Sequence, residues 1–480
     1  VGLFVPSMKR TRDDENSECK RIKETRLKVT PDDDLAAVVR GAPEEAVLVL
    51  SAGKFECGVD VTSDQNLVLE GEKGTLLQAT EERPTICVTG RLTIIGLRIC
   101  HEKNDTLPIV SQLPTIQVMK GGSLVLDHCE VSSHGHGLEV LGGDVTLTDC
   151  VVSGTGGRAA ALKEGARGVM ERCEVTDTHG LVVDGQDSQL VMRECNVSNS
   201  LIDGLLVTDS AKAIGTKCFF FENGQMGVRV DGAGSEVSLE QCELYSNHED
   251  GMLVQGGAKG FVGSCKVFKN RGAGVHVQEK SELSVKDSEV YDDQQGGVSI
   301  TDGSRGFVSG CELYRNGESG LRVETSTVAM TDSKLHEQDG TGVLILDSAK
   351  TKVHDCEIFS NAAGEVRVEV SQMQMTDTRV QGVRDQASDV VIMHGGQAVL
   401  QNCTMQDTAV HLSDNAQALV DKCTMEGRAD LIFTDGCTGS VRGCTFPDES
   451  HVVNEGSGAV NVQGCSNTEG DVVSVTAMPA

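Results

Sequence analysis

The chain has 480 residues, with 42 basic and 72 acidic side chains and a formal net charge of −30. That balance argues against general nucleic-acid binding, which needs surplus Lys and Arg to hold phosphate. With 38% hydrophobic residues, no apolar run nears the ~20 needed to span a bilayer, and 18 cysteines are too sparse for a small disulfide scaffold.

Residues 1–28 are expected to be a disordered basic and polar tail, with Met8 read as a start and no secretory signal. Lys9-Arg10 and Lys20-Arg21-Ile22-Lys23 resemble a bipartite nuclear-localisation signal, beside the plainer reading of a solvated tail. The tail carries 8 basic and 5 acidic residues, which leaves 34 basic and 67 acidic residues and a charge of −33 on the body. Residues 29–45 are expected to hold a capping helix. Thr30-Pro31-Asp32-Asp33 reads as its N-cap with Pro at the first helical position, and the helix runs through Arg40.

Residues 46–480 are dominated by a repeat. Cys129, Cys150, Cys173, Cys195, Cys218, Cys242 and Cys265 are spaced by 21, 23, 22, 23, 24 and 23 residues. The series continues through Ser288, Cys311, Ser333, Cys356, Thr378, Cys403, Cys423, Cys444 and Cys465, and Leu97 holds the same place one rung earlier, before an insertion around His101–Pro114. Each position lies in an alternating stretch such as Glu236-Val-Ser-Leu-Glu-Gln-Cys-Glu-Leu244, the period-2 pattern of a half-buried strand. A second strand begins at a recurring glycine, as in Gly227-Val-Arg-Val230 and Gly320-Leu-Arg-Val323. Between strands an asparagine recurs (Asn223, Asn247, Asn270, Asn316, Asn361, with Asp293 once), read as a bend residue that tolerates left-handed angles. No proline lies between Thr115 and Phe446, where every N–H is needed for bonds between coils.

Short strands, tight turns and a period of about 22–24 residues describe coils of a parallel β-helix. From Ala46 onward the chain resembles the right-handed parallel β-helix proteins of the pectin-lyase-like superfamily. Val47-Leu-Val-Leu-Ser-Ala-Gly-Lys-Phe55 and Arg91-Leu-Thr-Ile-Ile-Gly-Leu-Arg-Ile99 look like typical rungs of that family. The resemblance implies an all-β fold, a single-stranded right-handed parallel β-helix (solenoid) with a short N-terminal capping helix.

Stacked coils turn repeated residues into ladders. The cysteine ladder reads as packing of small buried hydrophobes rather than a metal site, and its thiols suggest a reducing, intracellular home, cytoplasmic or nuclear. Phe221, Tyr245, Phe268, Tyr291, Tyr314 and Phe359 form an aromatic row, with His336 in its one gap. This row reads as a corner stack or as an exposed stripe that binds a sugar or a peptide. A third row, Leu206, Arg229, Leu253, His276, Ser299, Arg322, Leu344 and Arg367, should point outward. Its Arg229, His276, Arg322, Arg367, Leu253 and Leu344 are the candidate interaction face for an acidic partner. A fourth row (Asp184, Asp209, Asp231, Asp302, Glu324, Asp347, Glu369) reads as turn chemistry, with stacked carboxylates able to bind Ca²⁺ as its sharper alternative.

No catalytic residue, metal ligand or cofactor site is assigned from the sequence. The expected function is a non-enzymatic protein-interaction scaffold or substrate-recognition module with a protein partner and no nucleic-acid or membrane partner. Some F-box proteins carry a similar β-helix in their substrate-recognition region, although this chain shows no F-box helix bundle. The alternative is a carbohydrate-active enzyme (polysaccharide lyase, hydrolase or epimerase) acting on an acidic polysaccharide, which the resemblance implies. That alternative requires a cleft where acids converge on a basic group near the third row.

Overall fold

The structure is a computed structural model that describes residues 25–79, 83–101, 113–382, 389–434, 436–448, 450–473 and 475–477. The two basic clusters Lys9-Arg10 and Lys20–Lys23 lie outside the described residues, as does most of the insertion after His101. The described residues form 58 strands and one α-helix. The strands stack, all in parallel, into three sheets of 20, 19 and 19 strands.

One coil shows the pattern. Glu236–Glu240 lies in the first sheet, Glu243–Tyr245 in the second and Met252–Gln255 in the third. Val237 and Leu239 point inward from the first strand, Leu244 from the second, and Met252 and Val254 from the third; each is at most 3% exposed. Every coil adds a similar set to one continuous core. Each fully buried Leu or Val contributes about 1.5–3 kcal/mol, so the alternating pattern fixes which side of each strand faces in.

The cysteine ladder lies at the corner between the first and second sheets, and its members are buried free thiols. The corner also explains the Ser and Thr substitutions. The Cys218 N–H reaches the Cys242 sulfur at 3.3 Å, and the Cys265 N–H reaches the Ser288 hydroxyl at 3.0 Å. The Cys311 and Cys356 N–H groups find Ser333 and Thr378 in the same way. In these coils the position offers a small group that accepts a bond from the coil below.

The asparagines work differently from the expected bend residues. The left-handed angles belong to the residues just before them, such as Ser246 (φ 56) and Lys269 (φ 58). The asparagines themselves are buried, and their side chains link the coils. Asn223 Nδ2 donates to Asn247 Oδ1 at 3.0 Å, and Asn247 Nδ2 donates to Asn270 Oδ1 at 2.9 Å. This ladder explains the strand-starting glycines. A Cβ on Gly227 would lie 2.7 Å from the Gly251 carbonyl oxygen and 2.8 Å from Asn247 Nδ2.

The N-terminal end differs from expectation in two places. Arg26–Val29 pairs in register with Val47–Leu50, so the solenoid takes up chain inside the span expected as a tail. The helix runs over Leu35–Gly41, with Asp34 as N-cap accepting from the Ala37 N–H at 3.0 Å. Thr30 cannot cap it, because the Asp33 carboxylate already binds the Thr30 N–H and hydroxyl in a separate turn. Leu35 and Val39 are buried, and Gln65 Nε2 donates to the Val39 carbonyl, so the helix covers the first strand of the third sheet, Val59–Val61. Covering a terminal strand in this way removes an open sheet edge.

Candidate functional site on the third sheet

The third row lies as expected on the outer face of the third sheet. Arg229, Leu253, His276, Ser299, Arg322, Leu344 and Arg367 are register partners coil after coil. Two features differ from the expected cationic and apolar stripe. Leu253 is only 5% exposed and offers little apolar surface. Each arginine is paired within its own strand: Arg229 with Asp231 at 3.2 Å, Arg322 with Glu324 at 2.7 Å, and Arg367 with Glu369. The fourth row therefore neutralises the third, while Asp209, Asp302 and Asp347 sit at left-handed turn positions.

The row is not flat. Ser299 is small, and it lies between His276 and Arg322, which are two coils or about 10 Å apart. The turns that lead into these strands are also small there, with Ala273 and Gly296. The result is a notch of about 320 Å³ in the sheet face. Its walls are His276 and Arg322, and Asp302, Glu318 and Glu324 reach its rim. Arg322 stands between Glu318, at 3.9 Å, and Glu324.

Below the notch lies an acid cluster that the sequence reading missed. In consecutive coils the residue just before the strand-starting position is His136, Arg158, His179, Asp203, Met226 and Asp250. Asp203 is 2% exposed and accepts from the Met226 N–H at 3.4 Å. Burial pushes its carboxyl above the usual range, with Arg229 and Arg158 pulling against that. Asp250 Oδ1 accepts from the Ala273 N–H at 2.7 Å, and its Oδ2 lies 3.4 Å from His276 Nδ1. Glu249 is exposed, and partial desolvation followed by the charges of Asp250 and Asp203 raises its pKa. Arg229 Nε is buried with no hydrogen-bond partner. The signal in the sequence was an Asp directly before the strand glycine, in only two coils, Asp203-Gly204 and Asp250-Gly251.

The aromatic row lies on the outer face of the second sheet. Consecutive rings from Phe221 through His336 to Phe359 stack with centroids 4.8–5.3 Å apart and planes within 7°. Ring faces meet each other, so between Tyr245 and His336 no ring offers a free face to a sugar. Arg315 lies 4.7 Å from the Tyr314 centroid and is held by Asp292 at 2.7 Å. Among the described residues, Asp127, His128 and Asp149 are the one group whose ligand atoms converge as a metal site requires. They lie at the corner of the first and second sheets, and Asp149 is already held by Arg172 through two hydrogen bonds of 2.7 and 2.8 Å.

The chain matches the family described as "Right handed beta helix region" over residues 109–242 and 226–376. No curated protein matches it. Among solved structures it is similar to the periplasmic alginate epimerase AlgG, at 13% identity over 74% of this chain and 83% of that one, with a TM-score of 0.39. It is also similar to the AlgE6 A-module, a mannuronan C-5 epimerase of Azotobacter vinelandii, at 13% identity over 90% and 93% of the chains and a TM-score of 0.33. Pectate lyase Pel9A shares 11% identity over 68% and 80%, with a TM-score of 0.33. At these scores the likenesses say nothing about the site. The coils, their ladders and the family match agree, and the chain belongs to the right-handed β-helix family.

Proposed function

We propose that this protein is carbohydrate-active, holding a glycan across the outer face of the third sheet with the notch between His276 and Arg322 as its reacting subsite. The observation that carries this reading is the notch itself, where carboxylates and basic groups converge around a small floor. Carboxylates and guanidinium groups are the natural partners of sugar hydroxyls. Glu318 and Glu324, at the rim beside Arg322, are the carboxylates placed to serve a glycosidic bond held there, as acid–base cleavage requires. Because Arg229, Arg322 and Arg367 each have their own carboxylate, the reading moves from an acidic polysaccharide toward a neutral or weakly charged one. The free thiols support a reducing, intracellular setting. The test is affinity electrophoresis against neutral and uronate-rich polysaccharides, with release of reducing ends. Arg322→Ala should lose retention, and Glu318→Gln should lose cleavage. Failure of every glycan to retard the wild type would end this reading.

A second reading, the protein-interaction scaffold, is supported by the first sheet. Val191, Ile214, Ser238, Phe261, Ser284 and Phe307 form a mostly apolar lane down its outer face, with Ile214 36% and Phe307 44% exposed. A groove of about 390 Å³ runs along it. Beside the lane, charges alternate as Lys212, Glu236, Lys259, Glu282 and Arg305. The partner that fits is a protein segment with apolar side chains on the lane and the opposite alternation of charge at the coil spacing. Capture of such a segment that Phe307→Asp and Ile214→Asp do not weaken would count against this face.

A further inference from the structure

The floor and lower wall of the notch carry a second chemistry. Asp250, His276 and Ser299 come from three consecutive coils of one face, with Asp250 Oδ2 3.4 Å from His276 Nδ1 and Ser299 the register partner of His276. The imidazole thus has a carboxylate beside its Nδ1 and a serine at the next place along its row, in the order orienting acid, base, nucleophile. His276 and Ser299 line the same notch. Gly296 also lines it, and here the turn differs from the two coils that carry acids. The Met226 and Ala273 N–H groups are taken by Asp203 and Asp250 from the coil below. The side chain below Gly296 is Ala273, so the Gly296 N–H takes no acceptor among the described residues. An N–H left open beside a nucleophile is what an acyl oxyanion requires.

We propose that Ser299 is an acyl-accepting nucleophile and that the notch hydrolyses O-acyl esters, such as those that decorate a polysaccharide. The inference deepens the carbohydrate reading and rests on it for the substrate. Ser299 Oγ attacks the ester carbonyl carbon while its proton passes to His276 Nε2. The bond from the acyl carbon to the sugar oxygen breaks, and His276 returns the proton to that oxygen. Water then attacks the acyl-serine by the same route, releasing a carboxylic acid and free Ser299. Asp250 is the positioning residue that holds the imidazole, and the Gly296 N–H faces the developing oxyanion.

The experiment uses the full chain with a fluorophosphonate probe and with p-nitrophenyl acetate, followed by peptide mass spectrometry. The expected result is phosphonylation of Ser299 and ester hydrolysis above buffer. Ser299→Ala should abolish both, and His276→Ala should lower hydrolysis about 10²–10⁴-fold. Asp250→Asn should lower hydrolysis and displace the acidic limb of its pH profile, where the base is lost to protonation, which a merely structural role would not do. Among the described residues the Ser299 hydroxyl makes no hydrogen bond, so Ser299→Ala should keep the wild-type unfolding curve. Probe missing from Ser299, or equal hydrolysis by Ser299→Ala, overturns the inference. Polysaccharide retardation is measured on the same samples. A protein that is retarded but unlabelled loses this inference and keeps the carbohydrate reading, whereas one that is labelled but never retarded keeps the nucleophile and loses the glycan.

Discussion

Asp293 stands where neighbouring coils place an amide, and replacing it with that amide should stabilise the protein. Asn247 shows what the position needs. Its Nδ2 donates to the Phe220 carbonyl at 3.2 Å and to Asn270 Oδ1 at 2.9 Å. Asn316 does the same toward the Val290 carbonyl and Gln338 Oε1. Asp293 keeps half of this, because its Oδ1 accepts from the Asn270 N–H at 2.8 Å and from Asn270 Nδ2 at 2.9 Å. Its Oδ2 stands in place of a donor, buried and without a partner in a residue only 1% exposed. Burial, with the charges of Asp250 and Asp292 adding to it, holds this carboxyl well above the ordinary range against the Asn270 hydrogen bonds. The folded chain therefore keeps the proton longer than the unfolded chain. The contribution to stability is full below the unfolded pKa near ~3.9. It is lost as pH rises toward the folded pKa, at about 1.4 kcal/mol per pH unit in that window. Asp293→Asn restores the donor and should gain about 1–3 kcal/mol at pH 8, the cost of one unsatisfied buried group. At pH 5 the gain should shrink, because the protonated acid can itself donate. The assay is urea unfolding of both proteins at pH 5 and pH 8, with hydrogen exchange across the coils containing Asn270 and Asn316. A variant no more stable than wild type at pH 8, or a gain independent of pH, would refute the reasoning.

The corner ladder yields a paired prediction, read by urea unfolding. Cys242→Ser should cost less than about 1 kcal/mol, because a hydroxyl serves the Cys218 N–H as Ser288 serves Cys265, whereas Cys242→Ala should cost about 1–3 kcal/mol by leaving that N–H unmet. In the aromatic row, Tyr291→Ala removes stacks of 5.0 Å to Phe268 and 4.8 Å to Tyr314 and should cost about 1–3 kcal/mol, with loss of near-ultraviolet circular dichroism. Gly227→Ala should destabilise by about 1–3 kcal/mol, since its Cβ meets the Gly251 carbonyl and the Asn247 amide, and hydrogen exchange should locate the damage in those two coils.

The repeat makes the solenoid legible in the sequence itself. A period near 23 with alternating polarity can bury its apolar side only by stacking, so the inward residues, the buried cysteine ladder and the outward third row followed directly. The physics inside the turns was less visible. Asparagine fits both a left-handed bend and a buried amide ladder, and only packing shows that Ser246 and Lys269 bend while Asn247 and Asn270 bond. The site was half visible. Arg229, His276 and Arg322 were found by alternation, but their neutralising carboxylates lie two residues along the strand, in a row read separately as turn chemistry. Asp203 and Asp250 occupy the turn before the strand, and their closeness to Arg229 and His276 exists only once coils stack. Ser299 belongs to the outward row but not to the candidate face, because a small residue there matters only when its neighbours above and below are large.

The central claim is that a glycan occupies the notch between His276 and Arg322. The most direct measurement is affinity electrophoresis of the wild type and of Ser299→Trp, which fills the notch from its floor and leaves the sheet hydrogen bonds in place. Retardation of the wild type by at least one polysaccharide, lost in Ser299→Trp, is the predicted result. Equal retardation of the two proteins, or none by any polysaccharide, would contradict it.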